Sequence, residues 1–164
     1  MKICILMCGL KRNYEEIKST LHDHLISDLQ SQNAEIDSFV HCDKPIELLN
    51  LRGAITEDPE KYENITIQIA RFHECYHKLV LPYMNKHKIE YDFFVCTRPD
   101  NIYFEKCLKR TICEWDKNKI NTRMRIYPTN LNLIYHTGWL NHGIETVDDQ
   151  FFIIPKNIAN LAFS

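Results

Sequence analysis

The sequence predicts an α/β fold in which a mostly parallel sheet lies between helices, and two observations carry that reading. Lys2–Cys8, Tyr91–Thr97 and Phe151–Ile154 each contain an unbroken apolar run of strand length, as expected of strands buried on both faces. Segments of helical period separate the first runs, and strand, helix, strand in that order is the signature of parallel pairing.

The first strand, Lys2–Cys8, is ended by Gly9, and Gly9-Leu10-Lys11-Arg12-Asn13 forms a polar turn at its carboxyl end. Asn13 fits a helix N-cap, with Glu16 as its capping-box partner. The helix that follows is expected to run to about Gln32, with Tyr14, Ile17, Leu21, Leu25 and Leu29 on one apolar face. Asp37–Asp43 reads as a short strand, and Pro45 to Glu60 as a loop punctuated by Gly53 and Pro59. Asn64 to Lys86 is the longest helical pattern, with Ile65, Ile69, Phe72, Tyr76, Leu79 and Tyr83 at steps of three and four; Pro82 is expected to end or kink it. Glu105–Glu114 is a modest helix candidate, Arg125–Pro128 a short strand, and Leu131–Gly143 a loop rich in His, Asn, Tyr and Trp. Asp148-Asp149-Gln150 precedes the strand Phe151–Ile154, Pro155 stops it, and a last helix is expected from Lys156.

At 164 residues the chain is expected to form a single domain over 1–164. A net charge of −2 and a pI near 6.4 supply no basic field, so nucleic acid is not an expected partner. No apolar run approaches the roughly 20 residues of a membrane helix. Gly9, Lys11 and Arg12 interrupt the first run, so it does not read as a secretory signal. Seven cysteines, several of them in apolar runs and with no Cys-x-x-Cys pair, read as reduced buried thiols and point to the cytoplasm.

Chemistry gathers at the predicted strand ends. Pro99 cannot donate to a sheet ladder and biases Arg98 toward an extended backbone, so the central strand should stop there and hold Arg98 and Asp100 at its carboxyl edge. That edge is where open α/β sheets bind ligands. Gly9, Lys11, Arg12, His41, Asp43 and Asp148-Asp149 also adjoin strand ends. Cations, carboxylates and imidazole together suit a phosphate-bearing ligand with a divalent metal. Neither G-x-G-x-x-G nor a P-loop is present, which disfavours a dinucleotide dehydrogenase or a P-loop kinase. His73-Glu74-Cys75-Tyr76-His77 fits the H-E-x-x-H pattern of zinc proteases, although Lys78 follows it and no third histidine completes the longer form; a zinc hydrolase is a distant alternative.

Tyr91-Asp92-Phe93-Phe94-Val95-Cys96-Thr97-Arg98-Pro99-Asp100, with Gln68 and Arg71 before it and Asp149-Gln150-Phe151-Phe152-Ile153 after it, resembles small glycosyltransferase-like proteins of large DNA viruses and bacterial surface-polysaccharide clusters. The Cys8-Gly9 turn and the strand Asp37–His41 are similar too, so the likeness covers most of the chain. It implies a glycosyltransferase-A fold, that is, a Rossmann-like three-layer sandwich, in the cytoplasm of a bacterium or viral host. A nucleotide-sugar donor, a glycan or protein acceptor, and Mn²⁺ or Mg²⁺ are implied with it. On this reading Gly9, Lys11, Arg12, His41, Asp43, Arg71, Arg98 and Asp100 bind the donor, and Asp100 matches the final carboxylate of a D-x-D triplet that serves the metal. Arg98 stands where that triplet has its first carboxylate; a guanidinium repels the cation while attracting diphosphate. Asp149 is the implied base, with Asp148 beside it. The rival reading is a catalytically inactive nucleotide-sugar-binding module of the same fold.

Overall fold

The computed structural model describes residues 1–57, 67–103, 111–126 and 145–164. Its centre is a six-stranded sheet built from β1 (Lys2–Gly9), β2 (Glu35–Cys42), β3 (Leu51–Thr56), β4 (Phe93–Thr97), β5 (Asn121–Ile126) and β6 (Glu145–Pro155). The strand order is β3-β2-β1-β4-β6-β5. β1 pairs in parallel with both β2 and β4, and β2 with β3. β6 runs antiparallel to both β4 and β5, so the sheet is mostly parallel, as the apolar runs predict.

The period of two along β1 divides the core into two layers. Ile3, Ile5 and Met7 pack with Tyr14, Leu21, Leu25 and Leu29, which lie along α1 (Tyr14–Leu21), a wide turn at His22–Ile26, and α2 (Ser27–Ser31). Cys4, Leu6 and Cys8 point the other way, to Phe72, Cys75, Tyr76 and Val80. These belong to α3 (Ile67–Cys75) and a wide turn at Tyr76–Val80 that leads into α4 (Leu81–His87). Ala159 of α5 (Ala159–Ala162) and Phe163 close the same face. With helices on both faces, β1 and β4 are buried throughout except at Lys2.

Several expectations need correction. Pro45 to Glu60 contains the edge strand β3, hidden in the sequence because Leu51-Arg52-Gly53-Ala54-Ile55-Thr56 is half exposed and lacks an apolar run. Asn13 makes no side-chain cap; the turn closes instead through Tyr14 N–H to the Lys11 carbonyl at 2.8 Å, with Arg12 at a left-handed φ of 35°. Ile69 does not join the buried stripe and is 71% exposed, because the helix turns Phe72, Cys75 and Tyr76 inward. The helix also passes Pro82 without stopping; the wide turn immediately before it is the kind of distortion that a proline in a helix requires. β6 starts earlier than expected and includes Asp148 and Asp149. Of the 105–114 helix candidate, Ile112–Glu114 forms one 3₁₀ turn with a Thr111–Glu114 capping box. Its earlier part, Asn64 and Ile65, Tyr127-Pro128 and the Leu131–Gly143 loop lie outside the described residues.

Candidate functional site

The strand order reverses between β1 and β4, and in open α/β sheets the crevice beyond the carboxyl ends of such a pair is the ligand site. Two close approaches shape it here. Gly9 ends β1 at φ 144°, a conformation L side chains rarely adopt, and a Cβ on it would lie 3.1 Å from Cδ of Pro99. Gln68 Nε2 donates to the Cys8 carbonyl at 2.8 Å, so α3 grips the same turn.

Beyond Pro99, Asp100 is the centre of a cation cluster. Arg98 brackets its carboxylate with two parallel bonds, Nε to Oδ1 and Nη2 to Oδ2, both 2.8 Å. Arg12 Nη1 donates to the same Oδ2 at 2.8 Å. Asp100 and Arg98 are mostly covered, with side chains 13% and 20% exposed, whereas Arg12 is 55% exposed. A bidentate pair holds both partners in a set orientation, so the Arg98 guanidinium stands fixed at the rim, while Arg12, held by one bond and more exposed, brings a second guanidinium beside it. The neighbouring turn is tied in a similar way: Lys11 N–H donates to Asp43 Oδ1 at 2.6 Å. The Lys11 ammonium lies 2.7 Å from Glu15, and Lys11 and Lys18 hold the Glu15 carboxyl down at about 2.

Of the donor-site residues read from the sequence, the structure thus brings Gly9, Lys11, Arg12, Asp43, Arg98 and Asp100 to one edge. His41, beneath α3, and Arg71, carried by α3 itself, are at the same end of the sheet but buried, 0% and 1% exposed, and do not line its open rim. β2's pleat decides this, since alternate residues face opposite layers and His41 shares Phe39's side. Phe151 pairs with Thr97 across antiparallel strands, so Gln150, Asp149 and Asp148 continue along β6 past the carboxyl end of β4.

The residues at Asp100 do not fit the implied Mn²⁺ or Mg²⁺. Both carboxylate oxygens already accept from guanidiniums, and the cluster carries more positive than negative charge, so a divalent cation would enter a repulsive field. The H-E-x-x-H segment does not assemble a zinc site either. His77 Nε2 is bonded to the Phe163 carbonyl at 2.9 Å, and the Glu74 carboxylate lies 3.8 Å from His41 and 2.9 Å from Lys78. The sequence reading does not include Glu57, which follows β3 as Asp43 follows β2; its signal is position after a strand, and β3 carries no apolar run to mark it.

Fold and site define an α/β domain with a mostly parallel, Rossmann-like sheet and a guanidinium–carboxylate cluster at its switch point. No protein-family model and no curated protein matches the chain. Among the described residues no helix is long and apolar enough to cross a membrane.

Proposed function

We propose that this chain is a glycosyltransferase that uses a nucleotide-diphosphate sugar, with Arg98 and Arg12 in the place a metal ion would otherwise take. The single observation that carries this reading is the pair of guanidiniums gathered on Asp100 at the switch point, Arg98 by a two-bond fork and Arg12 by one bond, where the resemblance and the general rule for such sheets both put the diphosphate. Fixed donors aimed where charge develops stabilise a leaving group more than mobile ones do, because no reorganisation is needed as the bond breaks.

In the proposed reaction the bond between the sugar's anomeric carbon and the diphosphate oxygen breaks. The electron pair leaves with the diphosphate, and its charge is met by Arg98 and Arg12. The acceptor hydroxyl oxygen bonds to the anomeric carbon, and its proton passes to a carboxylate. Asp149 is assigned that role, since the resemblance points to it and β6 carries it past the carboxyl end of β4.

The test is a thermal-shift panel of UDP-, GDP- and CMP-sugars with and without Mn²⁺, followed by transfer and hydrolysis assays. A UDP- or GDP-sugar should stabilise the chain equally with and without Mn²⁺. Asp149→Asn should abolish transfer while donor binding survives, and Asp148→Asn should be milder. Donor binding without turnover under any acceptor would favour the inactive binding module, and no stabilisation by any nucleotide sugar would overturn the proposal.

A further inference from the structure

The two guanidiniums at the switch point share one carboxylate, and each holds it differently. Arg98 Nε and Nη2 reach Oδ1 and Oδ2 of Asp100 in a planar fork between covered side chains, 20% and 13% exposed. Arg12 Nη1 makes a single bond, to the Oδ2 that Arg98 already occupies, and its side chain is 55% exposed. A fork between covered partners is strong and directional, whereas a single exposed ion pair contributes little and exchanges readily.

The backbone under Arg12 is tied on both sides. Lys11 N–H donates to Asp43 Oδ1 at 2.6 Å, and Tyr14 N–H donates to the Lys11 carbonyl at 2.8 Å, with Arg12 between them at a φ of 35°. For Arg12 to change partner, only its side chain has to rotate, and exposed side chains do so in picoseconds to nanoseconds. The Lys11 ammonium is already matched, at 2.7 Å from Glu15, which Lys18 also holds at 2.7 Å. Two guanidiniums on one carboxylate leave the Arg12–Arg98–Asp100 cluster with one positive charge in excess, so it attracts an anion.

We infer that Asp100 is an internal stand-in for the ligand's phosphate, an autoinhibitory contact from which the diphosphate displaces Arg12 while Arg98 stays in its fork. The inference rests on the nucleotide-sugar reading for the identity of the ligand. It reverses the role a D-x-D carboxylate has, because the charge of Asp100 opposes the diphosphate instead of drawing it in through a metal. Selectivity follows from the same exchange. A singly charged anion gains little by replacing one carboxylate, whereas a diphosphate brings more charge and a phosphate for each guanidinium. One unit charge facing another at about 4 Å in water shifts an equilibrium roughly fivefold, which is the scale of the opposition expected from Asp100.

The test is calorimetric titration of the full chain with inorganic diphosphate in EDTA, so that neither a metal nor a sugar contributes, with circular dichroism to verify that each variant folds. Asp100→Asn keeps the shape and removes the charge, and should bind diphosphate at least about fivefold more tightly than the native chain. Arg12→Gln should bind more weakly, and in that background Asp100→Asn should gain less, because the guanidinium it would release is gone. Glu90→Gln removes the same charge just before the amino end of β4, at the opposite edge of the sheet, and should bind as the native chain does. A crystal structure of the native chain with diphosphate answers the question even if Asp100→Asn fails to fold: Arg12 should be bonded to a phosphate oxygen and no longer to Asp100. The inference is overturned if neither the native chain nor folded Asp100→Asn binds diphosphate, if Asp100→Asn binds it no more tightly than the native chain, if Glu90→Gln gains as much, or if Arg12 keeps its bond to Asp100 in the complex. Failure of the nucleotide-sugar reading looks different: the expected pattern with inorganic diphosphate, but no nucleotide sugar bound, removes the reading and keeps the inference. Nucleotide-sugar binding and transfer, with diphosphate affinity that Asp100→Asn leaves unchanged, does the reverse.

Discussion

Replacing Gly9 by alanine tests the contact that joins the exit of β1 to the Arg98–Asp100 turn. Two costs add. A φ of 144° is foreign to an L side chain, and holding a residue in such a region costs about 1–3 kcal/mol. The new Cβ would also lie 3.1 Å from Cδ of Pro99, a carbon of a closed ring that cannot swing aside, and overpacking of that kind costs about 1–3 kcal/mol. A total of roughly 2–4 kcal/mol is expected after partial relaxation. For a chain of this size that lowers the melting temperature by about 4–16 °C. The assay is urea unfolding followed by far-ultraviolet circular dichroism, with an unchanged denaturant slope. Gly53→Ala is the control, because Gly53 has no positive φ and its Cβ would meet Leu79 and Phe39 no closer than 3.4 Å. It should change stability by less than about 1 kcal/mol, helped by the lower entropy of the unfolded chain. Gly9→Ala within 1 kcal/mol of the native chain, or Gly53→Ala as damaging as Gly9→Ala, would refute the reasoning.

Tyr91→Phe removes a buried hydroxyl that donates to Asp37 Oδ2 at 2.9 Å while Arg52 still donates to Oδ1, so stability should fall by about 1–2 kcal/mol in urea titrations; an equally stable variant would show that the bond contributes nothing. Stability should also decline from pH 9 upward. Burial raises Cys42 from 9.0 and Tyr14 from 10.0, each to about 12, so the unfolded chain ionises first and the contribution is complete below the unfolded pKa and lost through the folded one. Each group steepens the fall by about 1.4 kcal/mol per pH unit within its window, and unfolding free energies flat from pH 8 to 11 would contradict the assignment. Arg98→Lys keeps the charge but cannot bracket both oxygens of Asp100, so affinity for the nucleotide sugar should drop about tenfold or more by calorimetry, with little change in melting temperature; unaltered affinity would remove Arg98 from the donor site.

The central layer of this protein was legible in the chain itself. Ile3–Cys8 and Phe93–Cys96 are apolar without interruption because both faces of their strands are covered, and a residue's burial on both sides leaves a local signature that needs no partner to be read. The stop at Arg98-Pro99 was equally local, since proline's missing donor and its effect on the preceding residue are covalent facts. Arg98 and Asp100 therefore fall at the carboxyl edge of β4 for reasons local to the chain.

What each of those side chains touches was decided by tertiary structure. β3 leaves no local signature because an edge strand is half wet and carries no apolar run, and the position of Glu57 after it is hidden for the same reason. His41 and Asp43 are two residues apart and read alike in the sequence, yet one is buried under α3 against Arg71 while the other caps the Lys11 turn. Asp100 reads as an open carboxylate for a metal; only the approach of Arg12, 88 positions away, and the fork of Arg98 show it as the anchor of two guanidiniums. Burial periodicity is a one-dimensional property, whereas the pairing of charges depends on which strand ends meet, and that is set by the order β3-β2-β1-β4-β6-β5.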